Sequence, residues 1–107
     1  MVARNEIYWA DLGPPAGRRP VVVLTRTAAA EVLRAVTCAP ITRTIRGIAS
    51  EVGVGPECGL PDSGVINCDN VVTVPKDRLD PAPVGSLGPG QRIDLDRALR
   101  FALDIGY

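Results

Sequence analysis

The run Arg18-Arg19-Pro20-Val21-Val22-Val23-Leu24-Thr25-Arg26 restricts the fold more than any other stretch of the chain. Three consecutive valines and a leucine, with a Gly/Pro/Arg-rich loop before them and polar residues after, form a buried strand rather than a helical turn. Pro20 fixes its own backbone and biases Arg19 towards an extended conformation. Arg19 therefore projects from the rim of a dry strand. An arginine so placed is either an anion holder or a rim residue that lays its stem over the core and keeps its head in water. From this stretch alone the second is the simpler reading.

A chain of 107 residues supports a single domain, 1–107, with a core that is adequate but not generous, so association with another subunit or partner is expected. Formal net charge is zero, yet residues 1–50 carry seven arginines against three acids, and residues 51–107 carry five basic residues against nine acids. Eleven of the twelve basic residues are arginine, whose planar fork matches phosphate oxygens. Zero net charge also fits an ordinary mixed, solvated surface. Cys38, Cys58 and Cys68 form an odd set without CxxC spacing, and the chain has no histidine. A zinc site would need all three thiols and a carboxylate, so no metal and no cofactor are expected, and the thiols read as reduced. No apolar run approaches the roughly 20 residues that span a bilayer, and no signal-peptide core opens the chain. The expected compartment is the cytoplasm.

The segments fall in a recognisable order. Residues 6–10 look like a first strand, and Gly13-Pro14-Pro15-Ala16-Gly17 is a loop. Residues 27–35, with three alanines and Thr27 as cap, fit a short surface helix. Residues 36–40 have strand composition, with Pro40 marking an end or an edge. Strands are further expected over 50–54, 65–68 and 71–74, with a loop over 55–64 and a turn at Asp69 and Asn70. Gly88 and Pro89 open an amphipathic helix and Gly106 stops it. Leu95, Ala98, Leu99, Ala102 and Leu103 line its apolar face, Asp96 and Arg100 pair on another, and Phe101 is expected to be buried. The result is mainly β with helices, α+β: a small antiparallel barrel carrying a short surface helix and a carboxyl-terminal amphipathic helix.

Without histidine there is no Ser-His-Asp triad, no His-paired thiol and no imidazole pair for cleaving RNA. The glycines match neither a dinucleotide fingerprint nor a P-loop. Two polar clusters remain: Arg19 at the head of one strand, and Thr42, Arg43, Thr44 and Arg46 at the tail of another. If those ends are neighbours, guanidinium forks and hydroxyls line a pocket that holds a phosphodiester and the charge growing on it during cleavage. If they are not, the threonines cap turns and the arginines are solvated.

The blocks Glu6-Ile7-Tyr8-Trp9, Arg19-Pro20-Val21-Val22-Val23-Leu24, Ala39-Pro40-Ile41-Thr42, Val65-Ile66-Asn67 and Gly85-Ser86-Leu87, followed by a helix through Ala98-Leu99, together resemble the MazF/PemK family of toxins from bacterial toxin–antitoxin pairs. Thr42-Arg43-Thr44-Ile45-Arg46-Gly47 with Ala49-Ser50-Glu51-Val52 looks like an actinobacterial branch of it. The resemblance implies an SH3-like barrel acting as a homodimer and inhibited by a cognate antitoxin; no membrane partner is expected, from the lack of a long apolar run. It implies sequence-specific, metal-independent cleavage of single-stranded RNA by attack of the ribose 2′-hydroxyl, leaving a 2′,3′-cyclic phosphate and a 5′-hydroxyl. The family's catalytic arginine and Thr/Ser fall on Arg19 and Thr42.

Arg18, Arg26, Arg43, Thr44 and Arg46 are the candidates for tracking RNA, with Arg26 equally able to pair with Glu31 or Asp11. Base stacking is left to Tyr8, Trp9, Phe101 or Tyr107; Tyr8 and Trp9 alternate along a strand, so one is core and the other exposed. Three features depart from the family pattern: a short loop after Leu12, Arg4-Asn5 where Arg-Gly is usual, and Asp62-Ser63 displaced from the following strand by Gly64. The alternative is a non-enzymatic toxin on the same fold, like CcdB, which arrests DNA gyrase by contact through carboxyl-terminal residues; here those are Asp104-Ile105-Gly106-Tyr107.

Overall fold

A computed structural model describes residues 1–106; Tyr107, one of the stacking candidates, lies outside the described residues. Seven strands form one sheet: β1 (Glu6–Asp11), β2 (Arg18–Val23), β3 (Ala35–Thr42), β4 (Glu51–Val54), β5 (Gly64–Asn67), β6 (Val72–Pro75) and β7 (Gly85–Ser86). Helix α1 (Thr27–Ala30) follows β2, and α2 (Pro89–Leu103) closes the chain. The order is β4-β5-β3-β2-β1-β7 with β6 added to β3, and every pairing is antiparallel. The expected barrel with one short and one terminal helix is what forms.

Both faces of the central strands are dry, which is why the valine run shows no alternation. Val22 joins Ile7, Ile66, Leu87, Leu95 and Ala98 in one cluster, beneath α2. Its neighbours Val21 and Val23 point the other way, into a second cluster with Tyr8, Val36 and Val74. A strand buried on both sides reads as continuous aliphatic sequence.

Several expected boundaries move. α1 has four residues, not nine, because residues from Ala35 onward are claimed by β3, where Ala35 pairs with Pro75. Thr27 is not its cap: Arg26 holds that position without a side-chain bond, and Thr27 Oγ1 accepts from the Arg4 backbone N–H at 3.1 Å. β3 runs straight through Pro40. On one side of β3 the partner changes from β6, paired with residues 35–38, to β5, paired with Ile41 and Thr42. Pro40 falls in that gap, where a missing N–H forfeits no ladder bond.

In α2 only Leu95 and Ala98 are buried, with Leu99 and Ala102 packed against the cluster from its edge. Leu103 is exposed, and so is Phe101, at 63%. Six residues beyond Leu95, Phe101 falls roughly 120° around the helix from the buried line. Asp96 pairs with Arg4 at 3.1 Å, a partner distant in sequence. The helix ends at Asp104, whose φ of 57° takes the left-handed position expected of Gly106; a short polar side chain tolerates that conformation. Asn5, where the family pattern has glycine, likewise sits at φ 73°.

Candidate RNA-cleaving site

The site is set by sheet register. Val21 pairs with Pro40, Val22 with Ala39 and Val23 with Cys38. Followed two residues past its last pair, the same antiparallel register places Arg19, at the head of β2, opposite Thr42, at the tail of β3. The β1–β2 hairpin fixes the arginine from the other side, with Ala10 opposite Arg19 and Asp11 opposite Arg18. Its turn is closed by the Leu12 N–H donating to Gly17 O at 2.9 Å and the Gly17 N–H donating to Gly13 O at 2.7 Å.

Two hollows meet along this line. The first, of about 410 Å³, is lined by Trp9, Arg18, Arg19, Thr42, Arg43 and Asp62, among others. The second, of about 430 Å³, is lined by Leu12, Arg19, Pro40, Thr44, Arg46, Asn67, Asn70 and Val72 as well as Thr42. Ala16, Arg19, Thr42 and Thr44 belong to both and form the ridge between them.

The ridge residues keep the groups an anion needs. Arg19 Nε donates to the Ala16 carbonyl at 3.1 Å, which orients the guanidinium and commits only one of its five N–H donors. Thr42 Oγ1 accepts from the Thr44 backbone N–H at 3.2 Å, leaving the hydroxyl proton to be donated elsewhere.

Around the first hollow the arginines are braced by acids. Arg18 makes a two-pronged contact with Asp80, at 2.8 and 2.5 Å, and lies 5.6 Å from the Trp9 ring centroid. The bond to Asp80 raises the Arg18 pKa further, and the same bond to Arg18 holds Asp80 below the usual carboxylate range. Arg43 lies 3.6 Å from Asp62. In the second hollow Arg46 is placed through its backbone: Glu51 accepts from the Arg46 N–H at 3.0 Å and the Gly47 N–H at 2.9 Å.

The fold thus brings together six of the seven candidate site residues: Arg18, Arg19, Thr42, Arg43, Thr44 and Arg46. Arg26 lines neither hollow. It follows the opposite end of β2 from Arg19, at the start of α1, and a role for it in tracking RNA is not supported by its position. Of the aromatic candidates, Tyr8 is core, its hydroxyl bonded to Glu6 at 3.0 Å and its pKa pushed up to about 12, mainly by burial. Trp9, its alternate, is half-buried rather than exposed and lines the first hollow.

Asp62, Asn67, Asn70 and Asp80 join the site without any expectation from sequence that they would. Asp80 meets Arg18 across 62 positions of sequence, a contact with no local signal. Asn67 caps and Asn70 ends a short helical turn (Cys68–Asn70), and their composition announces a turn rather than a pocket wall. All three cysteines are buried and unpaired with one another. Burial pushes the Cys38 thiol to about 12, and burial with the Asp69 charge pushes Cys68 to about 11. Among the described residues no cluster of three or more His, Cys, Asp or Glu side chains is placed to hold a metal ion, and no helix is long and apolar enough to cross a membrane.

The chain is 47% identical over 73 residues to the probable endoribonuclease MazF5 of Mycobacterium tuberculosis, a match spanning 67% of this chain and 66% of that one. To the endoribonuclease MazF3 of the same species it is 40% identical over 89 residues, 83% of this chain and 85% of the relative. The solved Mycobacterium tuberculosis toxin MazF-mt6 superposes with a TM-score of 0.87 at 38% identity, over 95% of this chain and 99% of that one. A mycobacterial endoribonuclease solved in complex with its cognate antitoxin superposes at 0.89 and 29% identity, over 100% and 99%. With residues 3–103 matching its pattern, the chain belongs to the family of PemK-like, MazF-like toxins of type II toxin–antitoxin systems.

Proposed function

We propose that this protein is the toxin of a toxin–antitoxin pair and that it cleaves single-stranded RNA in the cytoplasm, with Arg19 and Thr42 as its catalytic residues. The observation that carries the reading is their placement on one ridge between two nucleotide-sized hollows, in a chain of this family. A scissile phosphate on that ridge leaves one flanking nucleotide to each hollow.

In this mechanism the ribose 2′-hydroxyl attacks the adjacent phosphorus, the bond to the 5′-oxygen breaks, and the products are a 2′,3′-cyclic phosphate and a 5′-hydroxyl. Negative charge accumulates on the nonbridging oxygens. Arg19 stabilises it through the donors that Ala16 leaves uncommitted, and Thr42 donates its remaining proton to one of those oxygens. A guanidinium keeps its proton in proteins and is a poor base, so Arg19 acts by charge rather than by proton abstraction. Arg18, Arg43 and Arg46 supply backbone contacts.

The antitoxin seen with a mycobacterial neighbour supports a cognate antitoxin as partner here, and a homodimer is the expected assembly for a core of this size. A CcdB-like action through the tail is disfavoured, since the relatives above are named endoribonucleases. The test is Arg19→Ala: cleavage disappears while the fold is kept. A folded, fully active mutant contradicts the assignment, and loss of toxicity on trimming residues 105–107 with RNA cleavage intact restores the CcdB-like reading.

A further inference from the structure

Chemistry on the ridge does not explain how one RNA sequence is chosen over another, and the two hollows differ in a way that bears on it. Beside apolar residues (Trp9, Pro20, Ile41, Leu60, Pro61), the first carries three charged residues away from the ridge, Arg18, Arg43 and Asp62. Away from the ridge, the second has one charged residue, Arg46; the rest is apolar (Leu12, Pro40, Val72) or a neutral amide (Asn67, Asn70). Apolar walls with a few fixed polar groups are what a nucleobase needs, with its faces dry and its edge hydrogen-bonded.

Asn67 is the amide whose orientation the structure fixes. Its Oδ1 accepts from the Asp69 backbone N–H at 3.0 Å. Because an amide N–H only donates, the atom facing it must be oxygen, and the Asn67 amide cannot be flipped. Its Nδ2 group therefore presents two donors on a half-buried side chain at the end of β5. The turn that supplies the Asp69 N–H is itself anchored: Ser50 Oγ, fully buried, donates to Asp69 Oδ2 at 2.5 Å, and the Cys68 N–H donates to Ser50 O at 3.0 Å.

We infer that the second hollow is a base-reading pocket for the nucleotide on one side of the cut phosphate, and that Asn67 is its specificity-determining residue, reading the exocyclic oxygen O4 of uracil or O6 of guanine, where cytosine and adenine carry an amino group, through Nδ2. The inference rests on the nuclease reading above. With one Oδ1 lone pair held by the Asp69 N–H, Asn67 keeps both Nδ2 donors and one Oδ1 lone pair, and Nδ2 is the group taken to meet the base. Uracil and guanine present carbonyl oxygens to such a group, whereas the amino groups of adenine and cytosine meet it donor to donor at the corresponding position.

The test is to sequence the fragment ends left by the wild type, Asn67→Asp and Asn67→Ala on one long RNA of mixed composition. Asn67→Asp is nearly isosteric: one carboxylate oxygen keeps the Asp69 N–H, while the other turns a donor into an acceptor. The expected wild-type pattern is uracil or guanine at one position adjoining the cut. Asn67→Asp is expected to move that preference tenfold or more towards adenine or cytosine, and Asn67→Ala to relax it. A general structural role lowers the rate at every sequence without changing the preference. Cleavage by all three proteins with one unchanged preference overturns the inference and leaves the nuclease intact. If Asn67→Asp is inactive, Asn67→Ala decides: a relaxed preference supports the inference and an unchanged one overturns it. No cleavage by the wild type overturns the nuclease reading and this inference together.

Discussion

Arg19 and Thr42 each line both hollows, and the β2–β3 register, continued two residues past its last pair, sets them opposite one another. Neither depends on loop flexibility for its position, since the strands beneath them are buried on both faces. Replacing either removes one contact to developing charge, and losses of order 10²- to 10³-fold in cleavage rate are expected for each. Arg19→Lys retains the charge but loses the fork held by Ala16, and is expected to fall between wild type and Arg19→Ala. Single-turnover cleavage of a short RNA, with circular dichroism of each variant, checks this.

Thr42 has a second constraint. A Cβ added to Gly64 would lie 2.5 Å from the Thr42 carbonyl oxygen, which is backbone and has no rotamer to escape into. Gly64→Ala is therefore expected to destabilise the protein by about 1–3 kcal/mol and to displace Thr42 as β5 is pushed from β3. Urea unfolding measures the first effect and cleavage assays the second; a stable variant of unchanged activity contradicts it.

Arg46 and Arg26 separate backbone contact from mere positive charge. On an RNA blocked by 2′-deoxy substitution at the cut, Arg46→Ala is expected to reduce the slope of log affinity against log salt by about 0.7, the value for one phosphate contact on a single strand. Arg26→Ala, altering a residue outside both hollows, is expected to leave the slope unchanged. Titrations at three or more salt concentrations decide between them.

The buried thiols give a pH dependence of definite sign. Cys38 and Cys68 ionise at about 12 and about 11 in the folded chain, raised from the ordinary 9.0 mainly by burial. The unfolded chain releases these protons first. The stability they contribute is therefore whole below about pH 9 and is lost as pH rises towards the folded-state values. Thermal midpoints are expected to fall between about pH 8 and about pH 10.5, and less steeply in Cys38→Ala. Neither thiol is expected to react with iodoacetamide in the native protein at neutral pH.

What the sequence disclosed follows from where the information lies. The β2 strand was legible because both its faces are core, and α2 because Gly88-Pro89 and the spacing of Leu95, Ala98 and Leu99 are local signals. Pro40 misled because its tolerance depends on a change of partner strand, a property of β5 and β6 rather than of β3. Phe101 departs from expectation because its position around the helix, not its hydrophobicity, decides whether it reaches the core. β7 has two residues, one of them Gly85, whose added Cβ would lie 1.9 Å from the Cys58 carbonyl oxygen; a strand defined by close approach leaves no apolar pattern. The ridge was half visible: its residues stood out as polar clusters at strand ends, but their adjacency needed either register or family resemblance. Asn67 stood within a block of the family resemblance, but nothing local marked it or Asn70 as a pocket wall.

The central claim is tested most directly by incubating the purified protein, in excess chelator, with a long single-stranded RNA beside Arg19→Ala, and mapping the chemistry of the fragment ends. Discrete cuts ending in 2′,3′-cyclic phosphate and 5′-hydroxyl, present in the wild type and absent in the mutant, are the expected result. RNA left intact by the wild type across several diverse substrates, or cut equally by a folded Arg19→Ala protein, contradicts it.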